Sequence, residues 1–228
     1  MFTKLCANTN LADAQLAVEL GARALGFVFA ESRRRVTPEQ VAAITRALPP
    51  GTRTIGVFAT TDVREIVAST RTAGLNGIQL HHEYATSCVR ALREAFGESV
   101  LLLQSLHWPI GSMEIETIRA RVREIREEDA IDAVLVDTRT ATASGGTGVA
   151  FDWELARPVL TELAPKKLIV AGGLTPENVG DAIRVLRPWG VDVASGVESS
   201  PGIKSAERMQ AFLAAAERAF GDAEEAAE

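Results

Sequence analysis

Cys6, Asp137, the arginines at 33–35 and two glycine-containing turns, Gly172-Gly173 and Ser195-Gly196, are the residues whose types and places could do chemistry. Cys6 closes the run Thr3–Cys6. A cysteine there is either a small buried core residue or, at an opening, a nucleophile or general base if its pKa is lowered. Asp137 directly follows Ala133-Val-Leu-Val136. A carboxylate closing an apolar strand is costly unless it caps the next loop or takes part in function. If desolvation raises its pKa, it suits the role of general acid.

The two turns point to an anion. Each follows an apolar run, Leu168–Ala171 and Val191–Ala194. Glycine lets backbone N–H groups approach an anion closely and tolerates positive φ. In a parallel α/β barrel the loops after strands seven and eight form a phosphate site. The segment Thr138–Gly148 is small, polar and rich in glycine, and Gly145, Gly146, Thr147 and Gly148 stand just before the next helical pattern. It reads as a lid or phosphate-touching loop, or else as a plain surface loop. Among Arg33, Arg34 and Arg35, one guanidinium can meet a ligand carboxylate bidentately while the others face water. His81 and His82 close a further strand and point to opposite sides. No His, Asp or Glu set at ligand spacing accompanies them, so no metal is expected. His107 beside Trp108-Pro109 reads as loop packing. Cys88 reads as helix core, and Trp153 and Trp189 as packing residues.

Such residues need a scaffold that brings strand ends together. Apolar β-rich runs cover Thr3–Cys6, Ala24–Phe29, Arg53–Phe58, Gly77–Leu80, Val100–Leu106, Ala133–Val136, Leu168–Ala171 and Val191–Ala194. Between and after them lie amphipathic segments, Leu11–Leu20, Pro38–Leu48, Asp62–Thr72, Tyr84–Phe96, Met113–Glu127, Asp152–Leu163, Pro176–Leu186 and Lys204–Phe220. Apolar residues recur there at three- and four-residue intervals, as on surface helices. Thr37-Pro38-Glu39-Gln40 is a capping box with proline at the first helical position. Thr175-Pro176 repeats that placement, Asn10 and Thr61 are caps, and Gly21 and Gly74 fall just past helix ends. Eight such units predict an α/β fold, a single (β/α)8 TIM barrel over residues 1–220 with an acidic tail at 221–228. A doubly wound sheet fits less well, because it wants a Gly-rich turn after the first strand, where this chain has Cys6-Ala7-Asn8.

Composition narrows the partners. Hydrophobic residues make up 46% and charged ones 24%, an ordinary globular balance. The net charge is −6, and much of it comes from Asp222, Glu224, Glu225 and Glu228, so the body has no basic field for nucleic acid. No apolar run approaches a bilayer span, and the N-terminus runs straight into a strand without a signal-like segment. Two well-separated cysteines, Cys6 and Cys88, then fit free thiols in the cytoplasm. Monomer and homodimer both stay open.

Taken together and in order, several motifs make the chain resemble the phosphoribosylanthranilate isomerases of tryptophan biosynthesis. They are Lys4-Leu-Cys6, Ala24-Leu-Gly-Phe-Val-Phe29, Ser32-Arg-Arg34-Arg-Val36, Gly56-Val-Phe58, Ile78-Gln-Leu-His81, Val136-Asp137, Gly145–Gly148 with Phe151-Asp-Trp153, Ala171–Asn178, and Val193–Glu198 with Pro201-Gly202. The resemblance implies a barrel enzyme performing an Amadori rearrangement on a phosphosugar with neither metal nor cofactor. It implies Cys6 as general base, Asp137 as general acid and Arg34 at the anthranilate carboxylate. It further implies Gly172, Gly173, Ser195 and Gly196 as the phosphate cradle, with His81 and Gly145–Gly148 among the substrate contacts. Two positions depart from the family pattern. Ala7 stands where glycine is usual and fits without strain only at negative φ. His82 adds bulk after strand four. The other readings are a different phosphosugar barrel enzyme and a non-catalytic paralogue that binds a phosphometabolite.

Overall fold

A computed structural model describes residues 1–109, 115–139 and 150–225. Strands and helices alternate: β1 Phe2–Leu5, α1 Leu11–Glu19, β2 Ala24–Val28, α2 Pro38–Thr45, β3 Arg53–Phe58, α3 Val63–Ala73, β4 Gly77–Leu80 and α4 Thr86–Phe96. There follow β5 Leu101–Pro109, α5 Ile115–Arg126, β6 Ala133–Arg139, α6 Trp153–Leu160, β7 Lys167–Val170, α7 Val179–Leu186 and β8 Gly190–Val193. A short antiparallel hairpin, β9 Glu198–Ser200 and β10 Ile203–Lys204, precedes α8, Ala206–Glu225. The strands β1 to β8 pair in sequence order, and β1 pairs with β8 in parallel to close the barrel. The expected (β/α)8 barrel is therefore the fold.

Strands covered on both faces read as continuous apolar runs, which is why the runs were visible. The helices bury one stripe each. On α7, Val179, Ala182, Ile183 and Leu186 are all buried. Each large aliphatic side chain of this kind stabilises by about 1.5–3 kcal/mol. Two cores result. One lies between strands and helices. The other plugs the barrel interior with Phe2, Ala24, Ile55, Leu103, Ala133, Leu135, Ile169 and Ala171.

Local starts and stops mostly follow their side chains. Thr37 and Gln40 form the reciprocal capping box, and Asn10 accepts from the Asp13 N–H. Gly74 ends α3 at φ +63°. The cap of α3 is Asp62, not Thr61, because the Asp62 carboxylate takes the N–H groups of Arg64 and Glu65. The helix expected from Pro176 starts at Val179 instead. The Asn178 side chain accepts from the Thr175 N–H at 2.8 Å and donates to the Gly173 carbonyl at 2.9 Å, which holds 173–178 as a turn. Both β5 and β6 outlast their apolar runs. Their ladder continues through His107↔Asp137 to Pro109↔Arg139. Asp137 is thus not the last residue of its strand, and His107 belongs to a strand and not a loop. At the C-terminus α8 continues through Gly221 to Glu225, past the boundary placed at residue 220. Alanine and glutamate there are good helix formers.

Candidate functional site

On β1, the alternation of a strand puts Phe2, Lys4 and Cys6 on one face. Lys4 is wholly buried; its Nζ lies 3.0 Å from Asp192 Oδ1 of β8 and donates to Gln79 Oε1 of β4 at 2.9 Å. Because β1 and β4 are not neighbours, this bond crosses the barrel interior. From Gln79 the network runs on. Its amide donates to Ser105 Oγ at 3.2 Å, and His81 Nδ1 lies 3.1 Å from the same hydroxyl. His81 also meets His107 edge-on, ring centroids 4.7 Å apart. Burial works against the Lys4 ammonium, yet Asp192 and Cys6 outweigh it and hold its pKa above the ordinary value. A charged pair inside a barrel is retained only when well partnered. The sequence assigned no role to Lys4, Gln79 or Asp192. A lone charge in the middle of a buried strand was the available signal.

Cys6 follows β1 directly and is buried. Its N–H donates to the Val193 carbonyl at 2.8 Å. The thiol fills space left by Gly26 of β2, where a Cβ would come within 2.5 Å of Sγ. The next residue, Ala7, has φ +63°, so it adopts the left-handed geometry that suits the family's usual glycine. Asn8 pins the strained turn. Its N–H donates to the Gly26 carbonyl at 2.9 Å and its amide to the Leu5 carbonyl at 2.7 Å. A lowered thiol pKa, the condition set for a base at this position, is not what the surroundings give. Burial pushes the Cys6 thiol up, Asp192 adds to that, and the ammoniums of Lys4 and Lys204 only partly oppose it.

Asp137 lies on β6, where its Oδ1 accepts the Thr138 N–H at 2.7 Å. Burial raises its pKa above the usual carboxylate range. His81 and the Thr138 N–H pull the other way, Asp192 pushes further up and Lys4 down. The Lys4–Asp192 pair is therefore felt by both Cys6 and Asp137. Asp137 lines a cleft with Ala171, Gly172, Gly173 and Leu174 after β7 and with Asp192, Val193, Ala194 and Ser195 around the end of β8. Gly172 has φ +81°, and a Cβ there would meet the Thr138 nitrogen at 2.7 Å and Asp137 Oδ1 at 3.0 Å. A Cβ on Gly196 would collide with the Leu174 carbonyl. The two turns thus pack closely on each other, and the Asp137 carboxyl group lines the same small cleft.

Arg34 stands after β2, its guanidinium forked onto Glu198 by Nε (2.8 and 3.0 Å) and Nη2 (2.7 Å). Nη1 takes no part in that fork. Arg34 is half-buried and its charge couples to Cys6. The structure therefore brings Cys6, Arg34, His81, Asp137, Gly172, Gly173, Ser195 and Gly196 to the C-terminal mouth of the barrel. Gly145, Gly146, Thr147 and Gly148 lie outside the described residues. His82 Nδ1 turns to the Glu83 carbonyl at 2.6 Å, and its own carbonyl accepts from Gln104 at 2.9 Å. Among the described residues no cluster of three or more His, Cys, Asp or Glu side chains has metal-binding geometry.

Comparison with known proteins points to one family. The family model described as N-(5'phosphoribosyl)anthranilate (PRA) isomerase matches residues 3–215. The chain is 40% identical over 212 residues to the N-(5'-phosphoribosyl)anthranilate isomerase of Pelobacter propionicus, covering 92% of each chain. It is similar to the crystal structure of the Thermotoga maritima phosphoribosyl anthranilate isomerase, with TM-score 0.82 and 36% identity over 96% of this chain and 99% of that one. A phosphoribosyl anthranilate isomerase in complex with reduced 1-(o-carboxyphenylamino)-1-deoxyribulose 5-phosphate gives TM-score 0.79 at 34% identity, again over 96% and 99%.

Proposed function

The chain belongs to the N-(5'-phosphoribosyl)anthranilate isomerase family, and from that premise we propose how its site converts N-(5-phospho-β-D-ribosyl)anthranilate into 1-(2-carboxyphenylamino)-1-deoxy-D-ribulose 5-phosphate. The phosphate sits on the Gly172-Gly173 and Ser195-Gly196 turns. Arg34 meets the anthranilate carboxylate with the edge that Glu198 leaves open. His81 contacts the sugar beside Asp137, and Gly145–Gly148 are assigned to substrate contact on sequence grounds.

Asp137 gives its proton to the furanose ring oxygen. The anilino nitrogen then pushes electrons into C1, the C1–O bond breaks and a Schiff base forms. Cys6, as thiolate, takes the proton from C2, and the C2–H electron pair moves to give an enolamine. Protonation at C1 and loss of the C2 hydroxyl proton complete the ketone. Ring opening breaks the one C–O bond with its electrons going to the protonated ring oxygen, and the remaining steps are proton shifts, so acid–base groups alone can carry the sequence. Each positioned acid or base supplies roughly 10²–10⁴ in rate.

One observation supports this reading above the others. Asp137 is held toward its protonated form by burial, in the same cleft as the glycine turns, and shares the Lys4–Asp192 pair with Cys6. The thiol is raised by burial as well, and the reactive form is the one with the proton on Asp137 and the thiolate on Cys6. We extend the proposal to a cytoplasmic enzyme, monomer or homodimer, with a small phosphosugar as ligand and no nucleic-acid or membrane partner. No helix among the described residues is long and apolar enough to cross a membrane.

The test is loss of phosphoribosylanthranilate fluorescence on mixing with purified protein. Native enzyme is expected to remove it quickly, and Cys6→Ala and Asp137→Ala to fail almost completely. Full activity in both variants would remove the mechanism. Unchanged fluorescence with tight binding would instead favour the non-catalytic paralogue.

A further inference from the structure

Lys204, on β10, has no role in the chemistry above. It is buried, and its Nζ donates to three acceptors: the Cys6 carbonyl at 2.5 Å, the Ala194 carbonyl at 3.1 Å and Glu198 Oε1 at 3.4 Å. Those contacts use all three donors of an ammonium. They also join parts that the backbone leaves separate. Cys6 follows β1, Ala194 follows β8 at the anion turn, and Glu198 grips Arg34.

We propose that Lys204 is a positioning residue for Cys6, tying the thiol-bearing turn to the phosphate turn and, through Glu198, to the arginine that receives the substrate carboxylate. The proposal rests on the reading of Cys6 as the base. The turn needs such a tether. Ala7 holds left-handed geometry at φ +63°, which costs an L-residue free energy and persists only when its surroundings over-determine it. On one side Asn8 fixes the turn to Gly26 and Leu5. On the other Lys204 takes the carbonyl of Cys6 itself. Its charge additionally favours the thiolate against burial, acting with Lys4 of β1 and against Asp192 of β8, while Arg34 after β2 is coupled to Cys6 as well.

The test uses Lys204→Met and Lys204→Gln in a Cys88→Ala background. Cys88 lies on α4 in the outer core, so its removal leaves Cys6 as the single thiol. Steady-state kinetics are read beside the pH dependence of Cys6 alkylation by iodoacetamide. In Lys204→Met we expect kcat to fall on the order of 10²-fold, the scale of a displaced reacting group. KM should change far less, and the alkylation midpoint should move to higher pH. Lys204→Gln keeps donors without the charge and should recover part of kcat while its alkylation midpoint stays high. A residue serving stability alone would lower Tm and leave kcat and the alkylation profile as in the parent. That result in either folded variant overturns the proposal, as does failure of both variants to fold. An active Cys6→Ala enzyme would overturn the base assignment itself, whatever Lys204 does.

Discussion

At the N-terminal end of the barrel interior Phe2, Ala24, Ile55, Ala133 and Ile169 close the space with carbon. Toward the other end of the barrel the inward positions are Lys4 on β1, Gln79 on β4, Ser105 on β5, Asp137 on β6 and Asp192 on β8. One end gains stability from burial, and the other holds desolvated charge that costs stability. Phe2 even stacks on Trp189, centroids 4.4 Å apart, and Lys167 lies 4.8 Å from the centre of that indole. A few residues of strand length separate packing from proton transfer, so the apolar plug offsets what the mouth sacrifices to chemistry.

The comparison breaks most plainly if activity and stability fail together at the mouth. Asp137→Asn keeps the shape and removes a buried ionisable group, so kcat/KM should drop by roughly 10²–10⁴, while Tm holds or rises. A matching fall in Tm would show that Asp137 is structural. Next in size is Lys4→Met, which leaves Asp192 buried without its ammonium. Breaking such a pair from one side costs about 3–5 kcal/mol. Adding Asp192→Leu should restore most of that stability in urea titrations without restoring turnover, because the charge is there for Cys6 and Asp137. Recovery of activity in the double variant would refute that role.

At the opposite end Ile169→Ala should cost about 2–5 kcal/mol in unfolding free energy, with kcat of the folded fraction unchanged. A large loss of kcat would mean that the plug also shapes the site. The smallest expected effect lies at the turn between the two regions. Ala7→Gly releases left-handed strain of about 1–2 kcal/mol, but glycine gains entropy in the unfolded chain. The net gain should be no more than about 1 kcal/mol by denaturant titration. Destabilisation would show that the Ala7 methyl, buried in the mouth, packs better than it strains.

The eight strands were legible because burial on both faces writes them as apolar runs. Where polar residues continue a ladder, the runs stop short, as at His107 and Asp137. The β9–β10 hairpin was not legible, since Glu198–Lys204 is short, polar and interrupted by Pro201-Gly202. Lys204 was read as the start of a helix, and nothing local says that its ammonium reaches Cys6 across 198 positions. Thr175-Pro176 carries the chemistry of a helix start, but Asn178 captures the backbone first. Cys6 and Asp137 stood out by position alone. The direction of the Cys6 pKa did not, because it is a contest between burial and two ammoniums that only folding brings together.

The central claim is a thiol and a carboxyl group sharing one proton, and the pH profile of kcat/KM tests it most directly. Below the raised pKa of Asp137 both groups are protonated and the base is lost. Above the raised pKa of Cys6 both are ionised and the acid is lost. Native enzyme should therefore give a bell whose acid limb lies above the usual carboxylate range and whose alkaline limb lies above that of an ordinary thiol. In Asp137→Asn only the thiol titrates, so the residual rate should become a single rise toward high pH. An acid limb that stays in place in Asp137→Asn would contradict the account.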